Sequence, residues 1–511
     1  MVSRKEWRGF FAVLCAAVLA FGTFEHLGRL PSSVHAWRQA DALSMALNFH
    51  ADGCRVDTPR LHFMHGTDGK AVGEFPLTYY ICAVIWTATG TVWPGLLPAL
   101  HLVLWAAGLA ALYAWARERT CSIAASAVAV GSVALTPLAA YYAGNYLVNV
   151  PALGGVLVGW GAGGRALERP GKWGWAVGAA VAFALAMLWR PTMGIGLVPV
   201  LVKAVEKKRW EAVVALAGSV GVAAVWIAFA TGYNRASGSV YFLTTVRPIW
   251  EAADAAAVWE QLRNVRIPEW GTRATRWAVG SAAAVAWGAA LWKRRWADAL
   301  LGAGVVAGLF VYFMLWYSNL DVHDYYLIEG LLVPPLAAVG LATALSAAHS
   351  RWTRGVWWAF AAVLAVQTAS TTARTRAKRG ETATRLAAVF VPQWQRDEYA
   401  WLAWDEARRL DPLVLHRDAL HRLLGPDALV ISFPDPSPNI TLTRLDVQGF
   451  TDLYENELRC GERVAHFVAQ GATHLVVNDT AALAGCDWGP WLDRPVGGMD
   501  GIRVYDLRGG R

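Results

Sequence analysis

The sequence predicts an all-α polytopic membrane protein of about 11 to 13 transmembrane helices with a small C-terminal extracytoplasmic α/β domain. Two features of the composition carry this prediction: 56 % of the 511 residues are apolar, and only 16 % are charged. A soluble chain of this length needs a more polar surface than these fractions provide. The net charge of +8 is typical of Lys/Arg clusters in cytoplasmic loops, so we expect membrane lipids and no nucleic acid as partners.

The hydropathy pattern divides the chain into two parts. Apolar stretches near the ~20 residues that a bilayer requires recur up to about residue 370 and then stop. We therefore predict a membrane domain at residues 1–371 and an external tail at residues 372–511.

The tail combines a segment of helical periodicity with short β-rich runs, which predicts a small α/β domain. The helical segment is residues 386–410, and the β-rich runs are residues 428–433, 474–478 and 502–507. Residues 434–441 (PDPSPNIT) contain an Asn-x-Thr sequon, but their prolines favour a turn joining two strands. Cys460 and Cys486 are the only cysteines of the tail, and the sequence leaves open whether they form a disulfide.

Basic residues predict which loops face the cytoplasm. The cytoplasmic groups are Arg117 with Arg119, Arg165 with Arg169 and Lys172, Lys203 with Lys207 to Arg209, Lys293 to Arg295, and Arg351 with Arg354. The segments expected to face outward are residues 27–73, 143–146, 190, 231–270 and 318–324, and the tail. Two apolar runs, residues 75–89 and 96–115, lie between an outward segment and a cytoplasmic one. Simple alternation of outward and cytoplasmic loops allows only an odd number of crossings there. Either the first run is short and re-entrant, or a further span lies elsewhere.

The first outward loop, residues 27–73, is longer than ordinary connections, which indicates a functional segment. Residues 42–49 have apolar positions at helical spacing, so we expect an amphipathic helix there. If this helix includes Trp37, then Arg38 and Asp41 are i, i+3 neighbours on one face. Such a pair suits transfer from a lipid phosphate, because a carboxylate can deprotonate a hydroxyl while a guanidinium holds the phosphate. The alternative is an ordinary surface ion pair beside an interfacial Trp.

Two further outward segments carry polar residues between apolar runs. Residues 319–326 include Asp321, His323, Asp324 and Tyr325. These residues could contact a substrate, or they could simply form a polar loop at the membrane interface. A metal site is a third alternative, although the spacing matches no recognised ligand motif. Arg190 stands alone in a tight turn, where it can bind an anionic head group or extend to the membrane surface.

Together these segments resemble the GT-C superfamily of polyprenyl-phosphate-sugar-dependent glycosyltransferases. The resemblance is closest to the bacterial branch of glycosyltransferase family 39, with the protein O-mannosyltransferases and the lipid A aminoarabinose transferase. It rests on HAWRQADALSMALNF at His35, GEFPLTYY at Gly73, HDYYL at His323 and PDPSPNITLTRLDVQGF at Pro434. The family has an Asp-Glu pair near the position of Arg38, and a Lys where this chain has Glu74.

The resemblance implies inverting transfer of a sugar from a polyprenyl-phosphate donor to a hydroxyl of lipid A, a polysaccharide or a protein. The reaction is expected at the outer, periplasmic face of the cytoplasmic (inner) membrane, without cofactor or metal. By resemblance, the catalytic carboxylate is Asp41 or, if the charges of the two motifs are exchanged, Glu74. The implied contacts with the donor phosphate are Arg38, Arg190, His323 and Tyr325, and those with other parts of the substrates are His35, Trp37 and Asp324.

The alternative function is a flippase or transporter of lipid-linked sugars. Such a protein would also place buried charges on broken helices. Two features of the sequence argue against it: no repeat of the spans is visible, and a transporter has little use for a long external tail. A receptor-like protein with an external sensing domain is a third class, but it would not need the charged first loop.

Overall fold

The computed structural model describes residues 2–64, 66–239, 241–242, 246–346, 350–453 and 457–509. The membrane domain contains α1 (Arg4–Ala20), α2 (Thr23–His26), α3 (Ala36–Ala51), α4 (Leu77–Thr89), α5 (Leu96–Thr120), α6 (Ile123–Ala134), α7 (Pro137–Tyr142), α8 (Asn149–Glu168), α9 (Trp173–Trp189), α10 (Val198–Glu206), α11 (Trp210–Ala236), α12 (Ala255–Gln261), α13 (Arg273–Trp292), α14 (Trp296–Leu315), α15 (Val333–Leu345) and α16 (Ser350–Lys378). Two 3-10 segments, Pro191–Leu197 and Asp324–Leu332, lead into α10 and α15.

The tail contains six helices and five strands within the described residues. The helices are α17 (Arg385–Phe390), α18 (Gln393–Asp405), α19 (Asp411–Leu415), α20 (Arg417–Leu424), α21 (Ile440–Leu445) and α22 (Cys460–Ala469). The strands are β1 (Val430–Phe433), β2 (Gly449–Thr451), β3 (His474–Val477), β4 (Pro495–Met499) and β5 (Ile502–Asp506). They form one sheet of order β2-β1-β3-β5-β4, in which β1 is parallel to β2 and β3, and β5 is antiparallel to β3 and β4.

Five helical segments in the described part of the chain are long and apolar enough to cross a membrane. They are Leu96–Thr120, Trp210–Ala236, Trp296–Leu315, Asp324–Leu345 and Arg351–Lys378. Shorter apolar helices, Leu77–Thr89, Ile123–Ala134 and Trp173–Trp189, accompany them. The chain is therefore a multi-pass membrane protein, as its composition predicts, while the number of about 11 to 13 crossings stays a prediction.

The helices of the membrane domain connect two ends of the molecule, and polar contacts identify each end. Ion pairs between the segments predicted to be cytoplasmic join Arg117 to Glu6, Arg165 to Glu118 and Lys203 to Asp298. The segments predicted to face outward meet at the opposite end, where the Phe75 N–H donates to the Leu188 carbonyl at 2.9 Å. These contacts join segments that the basic residues assign to the same side, and the side that each group faces stays a prediction.

Helix α4 is the first of the two consecutive apolar runs that do not fit the alternation of outward and cytoplasmic loops. At its N-terminal end Glu74 pairs with Arg38 of α3, and towards its C-terminal end the Thr87 hydroxyl lies 2.9 Å from His50 Nδ1 at the end of α3. Helix α4 therefore lies alongside α3, with both of its ends beside it. Whether residues 75–89 are re-entrant stays a prediction.

Helix α3 is buried more completely than its sequence predicts. An amphipathic helix leaves one face in water, but every residue from Gln39 to Phe49 is buried. The first loop covers part of the polar face, where the His62 N–H donates to Ser44 Oγ at 2.7 Å. The tail covers another part, since α21 packs against α3.

The three predicted β-rich runs become β1, β3 and β5, and the predicted helical segment becomes α17, α18 and a π-helical turn at Glu406–Leu410. The helix breaks before Pro392, because proline disfavours helical geometry in the preceding residue. Strand β2 has only three residues and β4 contains Gly497 and Gly498, so neither has a clear sequence signal. The prediction for residues 434–441 needs correction: they lead into α21, and only then into β2.

The structure answers the question about the tail cysteines, because Cys460 and Cys486 form a disulfide. The other four cysteines, Cys15, Cys54, Cys82 and Cys121, are free thiols. The disulfide connects the start of α22 to the segment that precedes β4.

We predict that denatured, unreduced protein exposes four thiols to a maleimide and that reduced protein exposes six. The loop closed by the disulfide should stabilise the tail by about 3 kcal/mol. The double variant Cys460→Ser and Cys486→Ser should therefore lower the denaturant midpoint of the tail, whereas Cys54→Ser should not. Six reactive thiols before reduction would contradict the pairing.

Candidate active site

A guanidinium held between two carboxylates lies at the outward-predicted end. Arg38, in the first turn of α3, has Nη1 3.5 Å from Asp41 Oδ2 and pairs through Nη2 with Glu74. The i, i+3 geometry expected from the sequence is therefore present, and the re-entry segment adds Glu74 to it. The side chains of Arg38 and Glu74 are 15 % and 11 % exposed, whereas that of Asp41 is fully buried.

Asp41 accepts hydrogen bonds from three separate segments of the chain. Asn439 Nδ2, from the tail, donates to Oδ1 at 2.9 Å, and the Tyr241 hydroxyl donates to Oδ2 at 2.8 Å, beside Arg38. Burial raises the pKa of Asp41 to about 6, although Arg38 and the two hydrogen bonds act in the opposite direction. A carboxylate with a pKa near the working pH is suited to general-base catalysis.

Glu74 differs from Asp41 in its electrostatic state. The Tyr79 hydroxyl donates to Oε1 at 2.6 Å, and Arg38 pairs with the other oxygen. Burial acts to raise the pKa of Glu74, but the charge of Arg38 and the bond from Tyr79 outweigh it, and the pKa lies below its ordinary value. Environments that shift two neighbouring carboxylates in opposite directions separate their chemical roles. Glu74 is thus the main counter-ion of Arg38, and Asp41 has the higher pKa of the two carboxylates.

A second group of buried ions surrounds Asp324. Its Oδ1 accepts a hydrogen bond from the Tyr142 hydroxyl and lies 3.1 Å from His35 Nε2, while its Oδ2 lies 3.1 Å from Lys378 Nζ. Lys378 also pairs with Glu269 at 2.8 Å. Asp324 is only 1 % exposed, so protein groups occupy it and its contact with a substrate stays a prediction.

Aromatic rings connect this group to the first loop. The His323 ring centroid lies 5.7 Å from that of His35, 5.6 Å from that of Trp37 and 5.3 Å from that of Tyr325. The His35 and Tyr325 rings are in edge contact at 5.0 Å. The two motifs singled out in the sequence, at His35 and at His323, therefore meet in space.

Arg190 belongs to a third group. It pairs with Glu329, which is fully buried, and Nη2 donates to the Tyr312 hydroxyl at 2.8 Å. Its guanidinium carbon lies 4.7 Å from the centroid of the Tyr326 ring. The rings of Tyr326 and Tyr325 are 4.8 Å apart, so Arg190 borders the same aromatic cluster from the other side.

Several residues that complete these groups were not identified from the sequence. They are Tyr142, Tyr241, Glu269, Glu329, Lys378 and Asn439. Glu329 was detectable, because a charge within an apolar run is a recognised sign of function. Tyr241 gave no such sign, and Asn439, although it lies in the motif at Pro434, was interpreted as part of a turn. They lie 200 and 398 residues from Asp41 in the chain.

The metal alternative for residues 319–326 finds no geometric support. Across the described residues, no group of three or more His, Cys, Asp or Glu side chains is arranged to hold a metal ion. Asp324, one of the proposed ligands, has Lys378 at the position where a cation would bind.

Comparison with known proteins gives matches by structure but not by sequence. No family model matches the chain, and no curated protein sequence matches it. The crystal structure of ArnT from Cupriavidus metallidurans in the apo state has a TM-score of 0.58 at 13 % identity, over 98 % of this chain and 97 % of that one. The structure of the same protein bound to undecaprenyl phosphate has a TM-score of 0.57 at 13 % identity, over 99 % and 98 %.

An archaeal protein gives a weaker match. The oligosaccharyltransferase of Archaeoglobus fulgidus, in complex with Zn and sulfate, has a TM-score of 0.50 at 13 % identity, over 91 % of this chain and 67 % of that one. The match to ArnT includes both the membrane domain and the tail, because it covers nearly all of both chains. The chain is a multi-pass membrane protein with the fold of the GT-C glycosyltransferases.

Proposed function

We propose that the chain is a membrane glycosyltransferase that transfers a sugar from a polyprenyl-phosphate donor to a hydroxyl acceptor. The observation that carries this proposal is the Arg38 guanidinium held between Asp41 and Glu74. A cation for the leaving phosphate and a carboxylate for the attacking hydroxyl are the two groups that the reaction needs. The fold supports the choice of donor, because ArnT was solved with undecaprenyl phosphate bound.

In the proposed reaction, Asp41 removes the proton of the acceptor hydroxyl. The oxygen then attacks the anomeric carbon of the sugar from the face opposite the phosphate, with inversion. The bond between this carbon and the phosphate oxygen breaks, and polyprenyl phosphate leaves with the negative charge. The acceptor hydroxyl takes the place of the Tyr241 hydroxyl beside Asp41 Oδ2, which in the structure is 2.8 Å away.

We assign the donor phosphate first to Arg38, because its guanidinium has five N–H donors and its side chain is partly exposed while Asp41 is not. Arg190 is assigned a smaller contribution to phosphate binding, since Glu329 already neutralises its charge. His323 and Tyr325 lie between the two and supply further contacts in this assignment. His35, Trp37 and Asp324 are assigned to the remainder of the substrates, with Asp324 acting through the orientation of His35.

We further propose that this end of the molecule faces the periplasm from a cytoplasmic membrane. The support is the collection of the basic loops at the opposite end, as the positive-inside rule expects. The acceptor in this proposal is lipid A, a polysaccharide or a protein. Donor lipid would enter laterally from the bilayer.

Substitution of the two carboxylates tests the proposal. In reconstituted membranes supplied with undecaprenyl-phosphate sugars, Asp41→Asn should lower kcat by about a hundredfold or more, because the general base is lost. Asp52→Asn is the matched control at the other end of α3, where Asp52 pairs with Arg60 outside the site, and it should retain activity.

The same experiment discriminates between the alternatives. Full activity in both Asp41→Asn and Glu74→Gln would refute the glycosyltransferase assignment. Loss of activity in Glu74→Gln alone would make Glu74 the base. A transporter would move lipid-linked sugar across vesicles without forming a glycosylated acceptor.

The pH dependence of kcat/KM distinguishes the two carboxylates independently of mutation. A general base works when deprotonated, so the rate should fall as the pH drops through the pKa of that group. If Asp41 is the base, the fall is centred at about pH 6. A fall centred below 4.5, the ordinary value for Glu, would instead identify Glu74.

A further inference from the structure

The tail contributes a side chain directly to the candidate catalytic centre. Asn439, which immediately precedes α21, is fully buried, and its Nδ2 lies 2.9 Å from Asp41 Oδ1. The turn at residues 434–438 delivers it there from the end of β1. The remaining oxygen of Asp41 faces Tyr241 and Arg38.

The orientation of the Asn439 carboxamide is fixed by a second hydrogen bond. Its Oδ1 accepts the backbone N–H of Phe63 at 3.0 Å. A flipped amide would point its NH₂ group at this N–H and its oxygen at the Asp41 carboxylate, which makes two repulsive contacts. The first loop therefore holds the amide with its donor towards Asp41.

Contacts around Asn439 hold the tail against the first loop. In α21, the Thr443 hydroxyl donates to the Ala40 carbonyl at 3.4 Å, and Arg444 Nη2 donates to the Pro31 carbonyl at 3.0 Å. After α21, Asp446 lies 3.1 Å from His62 Nε2. These groups make the position of Asn439 a consequence of tail docking.

We propose that Asn439 is a positioning residue of the active site, and that the docked tail thereby holds Asp41 in the orientation and charge state that sugar transfer requires. This inference rests on the proposed function. It gives the tail a direct part in the reaction, in addition to any part in acceptor selection.

The chemistry of a carboxamide suits this role. The groups that face Asp41 are Arg38 and Glu74, whose charges oppose each other, the Tyr241 hydroxyl and the Asn439 amide. Tyr241 must yield its place when the acceptor hydroxyl binds. An amide does not titrate, so Asn439 donates to Asp41 at every pH, and a hydrogen bond to the charged form favours that form.

The test replaces Asn439 by a residue of similar volume that has no donor. Asn439→Leu should lower kcat by about tenfold or more, the scale of a lost hydrogen bond to a charged group. The KM for an undecaprenyl-phosphate sugar should stay nearly constant, and the acid limb of the pH profile should move up by about one pH unit. Asp500→Asn is the control variant in the tail, where the exposed Asp500 pairs with His416 outside the site, and it should change neither kcat nor the pH profile.

Asn439→Asp should restore the hydrogen bond to Asp41 at acidic pH only. The new carboxyl group can donate to Asp41 only while it is protonated, because two adjacent carboxylates share one proton. This variant should be more active than Asn439→Leu at acidic pH and should lose that advantage as the pH rises. A parallel pH profile for the two variants would overturn the positioning role.

A spectroscopic measurement keeps the inference testable without turnover. The infrared carboxyl band that disappears in Asp41→Asn reports the titration of Asp41, and in Asn439→Leu its midpoint should rise by about one pH unit. An unchanged midpoint, or a kcat equal to that of Asp500→Asn, would refute the inference and leave the proposed function intact. Failure of the proposed function is distinct: Asp41→Asn would then retain transfer. Retention of the disulfide in each variant checks that the tail is folded.

Discussion

The arrangement of the outward-predicted end depends on the ion group of Arg38, Asp41 and Glu74. Two carboxylates face one guanidinium in a largely buried place, so the group carries one excess negative charge when both are ionised. Burying an uncompensated charge is costly, and a titratable group responds by a shift of its pKa. Asp41 is the more deeply buried carboxylate, and burial raises its pKa to about 6, with a smaller contribution in the same direction from the charge of Glu74.

In the neighbouring ion groups, by contrast, the numbers of carboxylates and of cationic side chains are equal. Asp324 and Glu269 face Lys378 and Arg374, and Glu329 faces Arg190. These groups join segments that are distant in the chain, which makes them structural as well as electrostatic. Among these three ion groups, only that of Arg38 has a surplus carboxylate, and the proposed reaction needs a proton acceptor there. The docked tail is part of the same arrangement, because Asn439 donates to Asp41 Oδ1, while Tyr241 and Arg38 contact Oδ2.

Much of the fold could be predicted from the sequence because the signals are local. Hydropathy and basic residues predicted a multi-pass protein, two groups of loops and an α/β tail, and the i, i+3 spacing placed Arg38 beside Asp41. The burial of α3 could not be predicted, since its polar face is covered by residues hundreds of positions away. The same holds for Asn439 and Tyr241, whose place beside Asp41 is set by packing and not by spacing. The three-residue β2 and the Gly-containing β4 have too weak a pattern to be recognised.

In the proposed function, the guanidinium groups and aromatic rings at the outward-predicted end bind the anionic lipid donor. Arg38 and Arg190 border the cluster of His323, Tyr325 and Tyr326 from two sides, and the basic loops at the opposite end offer the competing location for a phosphate. The most direct test is a structure of the protein with bound undecaprenyl phosphate. We expect the phosphate within about 3 Å of the Arg38 guanidinium, a hydrogen-bond distance. A phosphate bound at the opposite end, near Arg119 and Lys203, with none at Arg38 would contradict it.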